Sequence, residues 1–502
     1  MDQVAIASSK PPSWRSRLWT SAANAYDALI PNLDRRSIPR TVLQNDQILS
    51  RDRRPKAIAT AQDLVRNFTT AAWAVRKHTD YIATVAFNGT SEDESLNSQV
   101  ENFIRVWGSR QNCDVTRQYG LRQLIRLCEM RRTVDGDVAI MKIGGSSRDR
   151  GRLQLIEAYR VQDPREDASR QSSDPDLWVN GFQLNRNGSV RRYALHTKTL
   201  RGRLQFERFV PVQSMNWLAY KEGFQYRGAS PLLSSLNAFQ DVYEGTQHHL
   251  GKMKAAASVA LAIYRDAVED DIGQGRIKAY LDDNQDGEND SFYRQEFGPG
   301  VNKLELLPGD RAEWMNNSTP ASETVQFMQW VLSQAVKSLD LPDTFLREQD
   351  GTFFSNKAAW NAYKRTARPK QQDLVEWLDD ITRWRVGMAV ADGDIVLPSG
   401  TSFNDISWEW IPLGYEWGNP EQEARGALTA IAGGLDNPER VAKEHGTDIK
   451  TNIDKTIKWM KYADEMSAAS GVDFKLAVNP AFAAPEDEAL AEFQQTEEPV
   501  RK

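Results

Sequence analysis

The chain has 502 residues, 40% hydrophobic and 26% charged, an ordinary globular composition whose length suggests about three cores. Its longest apolar run, Ala255 to Ile263, is flanked by Lys252, Lys254 and Arg265; it is far shorter than the ~20 residues of a membrane-spanning helix, so no membrane partner is expected. The polar start at Met1-Asp2-Gln3 lacks the layout of a secretory leader, and the two cysteines, Cys113 and Cys128, are too few for a disulfide framework. Synthesis and residence in the cytoplasm, with both thiols reduced and Cys128 in a core, are the expectation.

The formal charge of −6 hides a segregation. Residues 10–56 hold ten Lys/Arg against four Asp/Glu, whereas residues 265–320 hold six against thirteen. The basic arm fits nucleic acid or an acidic protein surface as partner, and a solvated, partly disordered arm fits equally.

In chain order, Ala61, Leu64, Val65, Phe68, Ala72, Val75 and Ile82 predict one long amphipathic helix over residues 59–87, and a second fits 117–132. After Asp135-Gly136-Asp137 the period changes to short strands: Val138 to Ile143, Leu153 to Ala158, Phe182 to Arg186, Val190 to His196 and Phe209 to Trp217. Asn187-Gly188 predicts a type I′ hairpin turn. Ser230-Pro231 opens a helix whose stripe of Leu232, Leu236, Phe239, Tyr243, Leu250, Met253, Ala257 and Tyr264 has near-heptad spacing. A helix over residues 230–264 would span ~50 Å and carry an apolar seam that needs partners. Residues 266–318 read as short strands and acidic turns, and Thr319-Pro320 with Glu323 starts another helix to about Leu341.

Ser355-Asn356 is the expected cap of a third long helix, 357–386, with a kink or break at Pro369. From Gly351 to Gln372 the chain carries Lys357, Lys364, Arg365, Arg368 and Lys370 and no acidic residue; a solvated face and a strip facing nucleic acid both fit. Trp408, Trp410 and Trp417 mark a packed or strand-like region, and helices follow Asn419-Pro420 and Asn437-Pro438 up to residue 468. The fold class is therefore α+β.

Enzymatic signatures are absent. The Gly251-Lys252 pair continues into Met253 rather than Ser or Thr, so there is no phosphate-cradling loop, and neither a Gly-x-Ser-x-Gly elbow nor a His-Glu-x-x-His motif occurs among the five histidines. The adjacent His248 and His249 point to different helix faces. Asp282-x-Asn284-x-Asp286-Gly287 resembles the start of a calcium loop, but Tyr293 stands where a bidentate Glu is needed. Asp379-Asp380 reads as surface charge. No metal, cofactor or catalytic residue is expected.

The order of segments resembles the lambda-like family of phage portal proteins. The strings that carry the likeness span residues 50–460. They are Arg66-Asn67; Phe103 and Trp107 with Asp114; Asp135-Gly136-Asp137; Leu153-Gln154-Leu155-Ile156-Glu157; and Gly181-Phe182 with Gly188 and Tyr193. Arg227-Gly228-Ala229-Ser230-Pro231-Leu232 follows, then Trp408-x-Trp410, Asn419-Pro420 with Glu423-Ala424, Gly434-Leu435, and Glu444-x-Gly446-x-Asp448. Each is weak alone, and the order is specific. Asn419, where the family more often has Asp, and the basic N-terminus are departures.

The resemblance implies a non-enzymatic dodecameric ring with wing, stem, clip and crown around a channel for double-stranded DNA, at the portal vertex of the virion head after assembly in the host cytoplasm. The implied plan is a basic arm (1–50), wing (51–228), stem helix (229–264), clip (265–318), stem helix (319–341), wing and tunnel segment (342–418), crown (419–475) and disordered tail (476–502). Stem packing then falls to Leu232, Leu236, Phe239, Tyr243, Leu250 and Met253. Partner docking on the clip falls to Asp282, Asp283, Asp286, Glu288 and Asp290, and transient phosphate contact in the channel to Lys357, Lys364, Arg365, Arg368 and Lys370. Implied partners are the terminase large subunit, which carries the packaging ATPase, the major capsid and scaffolding proteins, and head-tail connector or head-completion proteins. Two other readings stay open: a different head protein or tail adaptor, against which the paired stem-like helices argue, and a metal-dependent DNA-processing enzyme, whose dispersed carboxylates need no fixed spacing.

Overall fold

The computed structural model describes residues 42–145, 148–164, 178–199, 202–258, 261–265, 310–314, 322–346, 353–412 and 420–471. In chain order the elements are α1 (Asn45–Ile48), α2 (Arg53–Asn67), α3 (Thr69–Ile82), β1 (Val85–Gly89), α4 (Glu94–Trp107), α5 (Arg110–Cys113), α6 (Leu121–Asp135), β2 (Asp137–Lys142), β3 (Leu153–Glu157), β4 (Trp178–Val179), β5 (Phe182–Leu184), β6 (Val190–Lys198), β7 (Leu204–Pro211) and β8 (Met215–Ala219). They continue as α7 (Leu236–Ser258), β9 (Leu261–Arg265), β10 (Asp310–Trp314), α8 (Ser322–Val336), α9 (Phe353–Asp392), β11 (Trp408–Pro412), α10 (Pro420–Ala432), α11 (Pro438–Glu444) and α12 (Ile449–Ser470). The architecture mixes helices with small sheets, as the α+β expectation has it.

The sheets have orders β3-β2-β8 and β4-β5-β6-β7, with β1-β11 and β9-β10 as separate antiparallel pairs. One apolar core joins α4, α6 and β2 to α9 and β11 through Ile104, Leu124, Ile140, Trp377 and Trp410. A second joins α2 and α3 to the α7 and α8 helices through Ala61, Val75, Phe239, Val336 and Leu339. A third lies between the sheets, around Ile156, Phe182, Leu195 and Met215. Cys113 and Cys128 are both free thiols buried in the first core, and burial pushes both above the usual thiol range.

Several expected elements are corrected. The helix predicted over 59–87 is two helices and a strand: Phe68 leaves the helical region (φ −115, ψ 110) and packs edge-on against Phe239 and Tyr243 at 5.7 and 6.1 Å. Packing of one half-buried aromatic residue thus outweighs continuity of the helix. The run Phe209 to Trp217 belongs to two strands, β7 and β8, with a 3-10 turn at Val212–Ser214. At the β5–β6 hairpin Gly188 takes positive φ (+81) while Asn187 does not. Gly188 N–H donates to Asn185 O and Asn185 N–H to Ser189 O, the pattern of a type I turn followed by a left-handed glycine rather than type I′.

The helix expected over 230–264 is shorter. Ser230 caps a 3-10 turn, Pro231–Ser234, and α7 ends at Ser258. Tyr264 lies instead in β9, opposite Arg311 of β10; the alternation Leu261-Ala-Ile263 suits a strand once a partner strand is present. The expected cap at Ser355-Asn356 lies inside α9, which begins at Phe353 and runs uninterrupted for 40 residues through Pro369. The expected break is absent, because proline deletes a single rung and packing of Tyr363, Ala367, Leu374 and Trp377 on both sides holds the rest. Farther on, Asn437 accepts from Arg440 N–H and caps α11, as Asn437-Pro438 suggests, and Asp448 accepts from Thr451 N–H at the start of α12.

Among the described residues no helix is long and apolar enough to cross a membrane, and no group of three or more His, Cys, Asp and Glu is placed to hold a metal ion.

Candidate functional site

The junction from which α7 departs is built from two strings far apart in the chain. Gly136 ends α6 with φ +92, and a Cβ there would stand 2.6 Å from Ser230 N; one on Gly228 would stand 2.0 Å from Gly136 O. Only paired glycines allow that approach. Asp137 and Arg227 then meet in full burial: Arg227 Nε donates to Asp137 Oδ2 at 2.6 Å and Nη2 to Oδ1 at 2.9 Å. The remaining guanidinium N–H groups donate to the carbonyls of Ala158, Val161 and Asn180, leaving no donor idle. Burial by itself raises Asp137, but the Arg227 charge and hydrogen bonds, with Arg54 and the Gly228 N–H, outweigh it and hold the carboxyl below its usual range. Arg54 donates to Gly228 O at 2.6 Å; burial and the Arg227 charge bring it down to about 10. Asp46 accepts from the Tyr226 and Arg227 N–H groups, and Ser230 Oγ donates to Thr133 O.

A second buried polar network ties α3 and α6 to α9. His78 bonds Tyr220 through Nε2 at 2.8 Å and Tyr363 through Nδ1 at 3.2 Å. Tyr220 donates to Glu129 at 3.0 Å, and Arg132 bridges Glu129 and Asp373 while lying over the Tyr220 ring. Burial raises Glu129 despite Arg132 and Tyr220, and lowers His78 with help from Lys370 and Arg132. The sequence reading missed this network, since its members share no local spacing. Of the junction it had the two strings but not their meeting.

From the junction, α7 and α8 pack side by side. Ser235 Oγ and Ser338 Oγ are 2.9 Å apart at the body end, and a Cβ on Gly245 would meet Met328 Sδ at 3.7 Å farther out. The six stem candidates split. Leu232 and Phe239 are buried in this chain's own second core, Leu236 is half-buried, and Tyr243, Leu250 and Met253 are exposed. Phe327 and Trp330 on α8 stack on each other at 6.1 Å while 62% and 57% exposed.

The five cations expected in the channel all lie on α9, and three already have carboxylate neighbours. Lys357 pairs with Glu423 of α10 at 2.8 Å, Arg368 with Glu444 of α11 at 3.1 Å, and Lys370 with Asp340 at 2.6 Å. Arg365 is exposed and Lys364 half-buried. Asp379 accepts from Trp408 Nε1. Asp282, Asp283, Asp286, Glu288 and Asp290, with Tyr293, Trp417 and the 476–502 tail, lie outside the described residues.

The family described as phage portal protein, lambda family, matches residues 36–371, more than half of the chain. The chain belongs to that family. It is a phage-type portal protein, of a family that is structural rather than enzymatic. Both junction strings, Asp135-Gly136-Asp137 and Arg227-Gly228-Ala229-Ser230, fall inside the match, so the resemblance first seen in their order holds in a portal chain whose fold brings them together.

The fold is also similar to chains in solved particles. One is in the virion of a native gene transfer agent particle (12% identity, TM-score 0.46, 79% of this chain and 99% of that one). Another is in the neck of an empty gene transfer agent particle computed with C6 symmetry (11%, 0.48, 78% and 93%). A third is in the neck of a native particle computed with C12 symmetry (12%, 0.45, 78% and 93%). No curated protein matches the chain.

Proposed function

We propose that this portal chain assembles into a closed ring, of dodecameric plan, that forms the DNA gateway at one vertex of a virion head and serves genome packaging, retention and ejection. The observation that carries the reading is the exposed apolar face of the α7–α8 pair: Tyr243, Leu250 and Met253 on one helix, and Phe327 and Trp330 on the other. Apolar patches of this kind on paired helices are covered in working proteins, and a ring of identical chains covers each pair with its neighbours.

In this reading residues 51–228 are wing, 229–264 and 319–341 stem, 265–318 clip, 342–418 wing and tunnel segment, and 419–475 crown. The acidic clip, with Asp282, Asp283, Asp286, Glu288 and Asp290, docks the terminase large subunit and later the head-completion proteins. The body contacts capsid and scaffolding proteins. Lys357, Lys364, Arg365, Arg368 and Lys370 are the cations for transient, salt-sensitive phosphate contact, with Lys357, Arg365 and Arg368 the exposed ones among them, held loosely so that the duplex can slide. No ATP hydrolysis or DNA cleavage belongs to this chain.

Mass photometry with negative-stain imaging of the purified full chain tests the assembly. Rings with a central hole are expected, and a stable monomer at micromolar concentration under all salt conditions would overturn the reading.

A further inference from the structure

At one edge of the four-stranded sheet a cleft of about 370 Å³ is lined by Arg51, Gln162, His196, Gly202, Arg203 and Leu204. It is remote in sequence from the α9 cations. Its residues arrive from three places. Arg51 stands just before α2, Gln162 follows the Val161 bridge to Leu195, and His196 and Arg203 flank the β6–β7 turn. The β6–β7 register shifts between Leu195 and His196, and such a bulge re-aims the side chain that follows it. His196 consequently lines the cleft although its own exposure is 3%. Its ring lies edge-on to Phe206 at 5.7 Å, and its carbonyl accepts from Arg160 Nε at 3.0 Å. Arg160 is neutralised by Glu207 at 3.2 Å.

Arg51 and Arg203 differ from Arg160. Both are exposed, and neither forms an ion pair with a described residue. Gly202, with φ +79, turns the chain so that Thr199 and Arg203 close the turn through Thr199 N–H to Arg203 O at 2.8 Å. A third cation stands near the rim, since Lys198 Cε would lie 4.0 Å from a Cβ on Gly202. The cleft therefore combines two guanidinium groups that pair with no described carboxylate, the Gln162 amide, one of whose N–H groups donates to Tyr159 O at 3.0 Å, and a wall formed by Leu204 and the buried His196 ring, whose Nδ1 lies 3.3 Å from Ala194 O.

We infer that this cleft is an oxyanion site for a phosphate group, presented either by a nucleic-acid backbone or by free phosphate. A carboxylate has two coplanar oxygens and is satisfied by one guanidinium fork. Two forks, with the second amide N–H of Gln162, suit the tetrahedral oxygens of phosphate better. The inference does not rest on ring formation or on the channel.

The test uses the full chain as wild type, Arg51→Gln, Arg203→Gln, the double variant, and Arg122→Gln at an exposed position of α6 as a control. Calorimetric titration with inorganic phosphate and anisotropy with a short labelled duplex are run at low and physiological salt. Because both arginines are exposed, thermal melts of the variants should superimpose on wild type. The double variant is expected to lose roughly tenfold or more in phosphate affinity, with smaller losses in each single variant and none in the control. If the duplex competes with phosphate, and the double variant binds it more weakly with a shallower salt dependence, the backbone is the source. Phosphate binding that the duplex leaves untouched assigns free phosphate. Equal phosphate affinity in wild type and double variant overturns the site, and a poly-glutamate peptide that displaces phosphate at lower concentration overturns it in favour of a protein carboxylate.

Discussion

Arg227 and Asp137, 90 positions apart, form a two-pronged ion pair from which water is wholly excluded, and the pair sets the point at which α7 leaves the body. Its members belong to separate glycine-bearing strings, so the ion pair and the Gly136–Gly228 approach act as one clamp.

Breaking one side of the clamp strands a buried charge. Asp137→Asn and Arg227→Met are each expected to cost about 3–5 kcal/mol of stability in denaturant titrations, and the double variant Asp137→Asn/Arg227→Met less than the sum of the singles. Since the folded carboxyl of Asp137 titrates below its usual range, its stabilisation is present above the unfolded pKa and is lost as pH falls through the folded one. Additive single and double losses would show that the two side chains do not act as a pair. Gly228→Ala is expected to abolish folding outright, because its Cβ would overlap Gly136 O.

Asp135 shows the opposite sign. Burial pushes its carboxyl up to about 6, against smaller lowering effects from the Gln62 hydrogen bond and Arg131. The folded state therefore takes up a proton more readily than the unfolded state, and stability falls as pH rises from about 4 to above 6. Asp135→Asn keeps an acceptor for Gln62 and removes the buried charge, so it should gain ~2–3 kcal/mol over wild type at pH 8. The gain should shrink on acidification and vanish near pH 4. Unfolding curves across that range check it, and a gain independent of pH would contradict the assigned cause.

Phe327 and Trp330 make no contribution to the buried core of this chain, so Phe327→Ser/Trp330→Ser should leave the melting temperature of the isolated subunit within a few degrees while preventing ring closure. Light scattering at matched concentrations reads this out. Intact rings would move the inter-subunit seam elsewhere.

Replacing Lys364, Arg365 and Arg368 with Gln removes the exposed Arg368–Glu444 pair, a loss of about 0–1 kcal/mol. Ring assembly should therefore survive, while packaging efficiency or retention of DNA should change with ionic strength, because a ring repeats each cation around a full belt. Unchanged packaging at two salt concentrations would remove these residues from the channel, and failed assembly would place them at a subunit interface.

Much of this protein is determined locally and could be read from the chain. Gly136 ends α6 and Asn437-Pro438 starts α11 because caps and positive-φ positions depend on a few neighbouring residues. The change from helical to alternating period after residue 137 marks the passage from α6 to β2. The order of short strings indicated the family for the same reason.

Tertiary structure decided the remainder. Phe68 divides a helix because Phe239 and Tyr243 receive its ring. β1 is a strand because Trp408–Pro412, distant in sequence, pairs with it. A basic run on α9 became three ion pairs because Glu423, Glu444 and Asp340 are folded against it. In each case the deciding partner is brought near only by chain closure over long separations, which hydrophobic period and residue propensity do not encode.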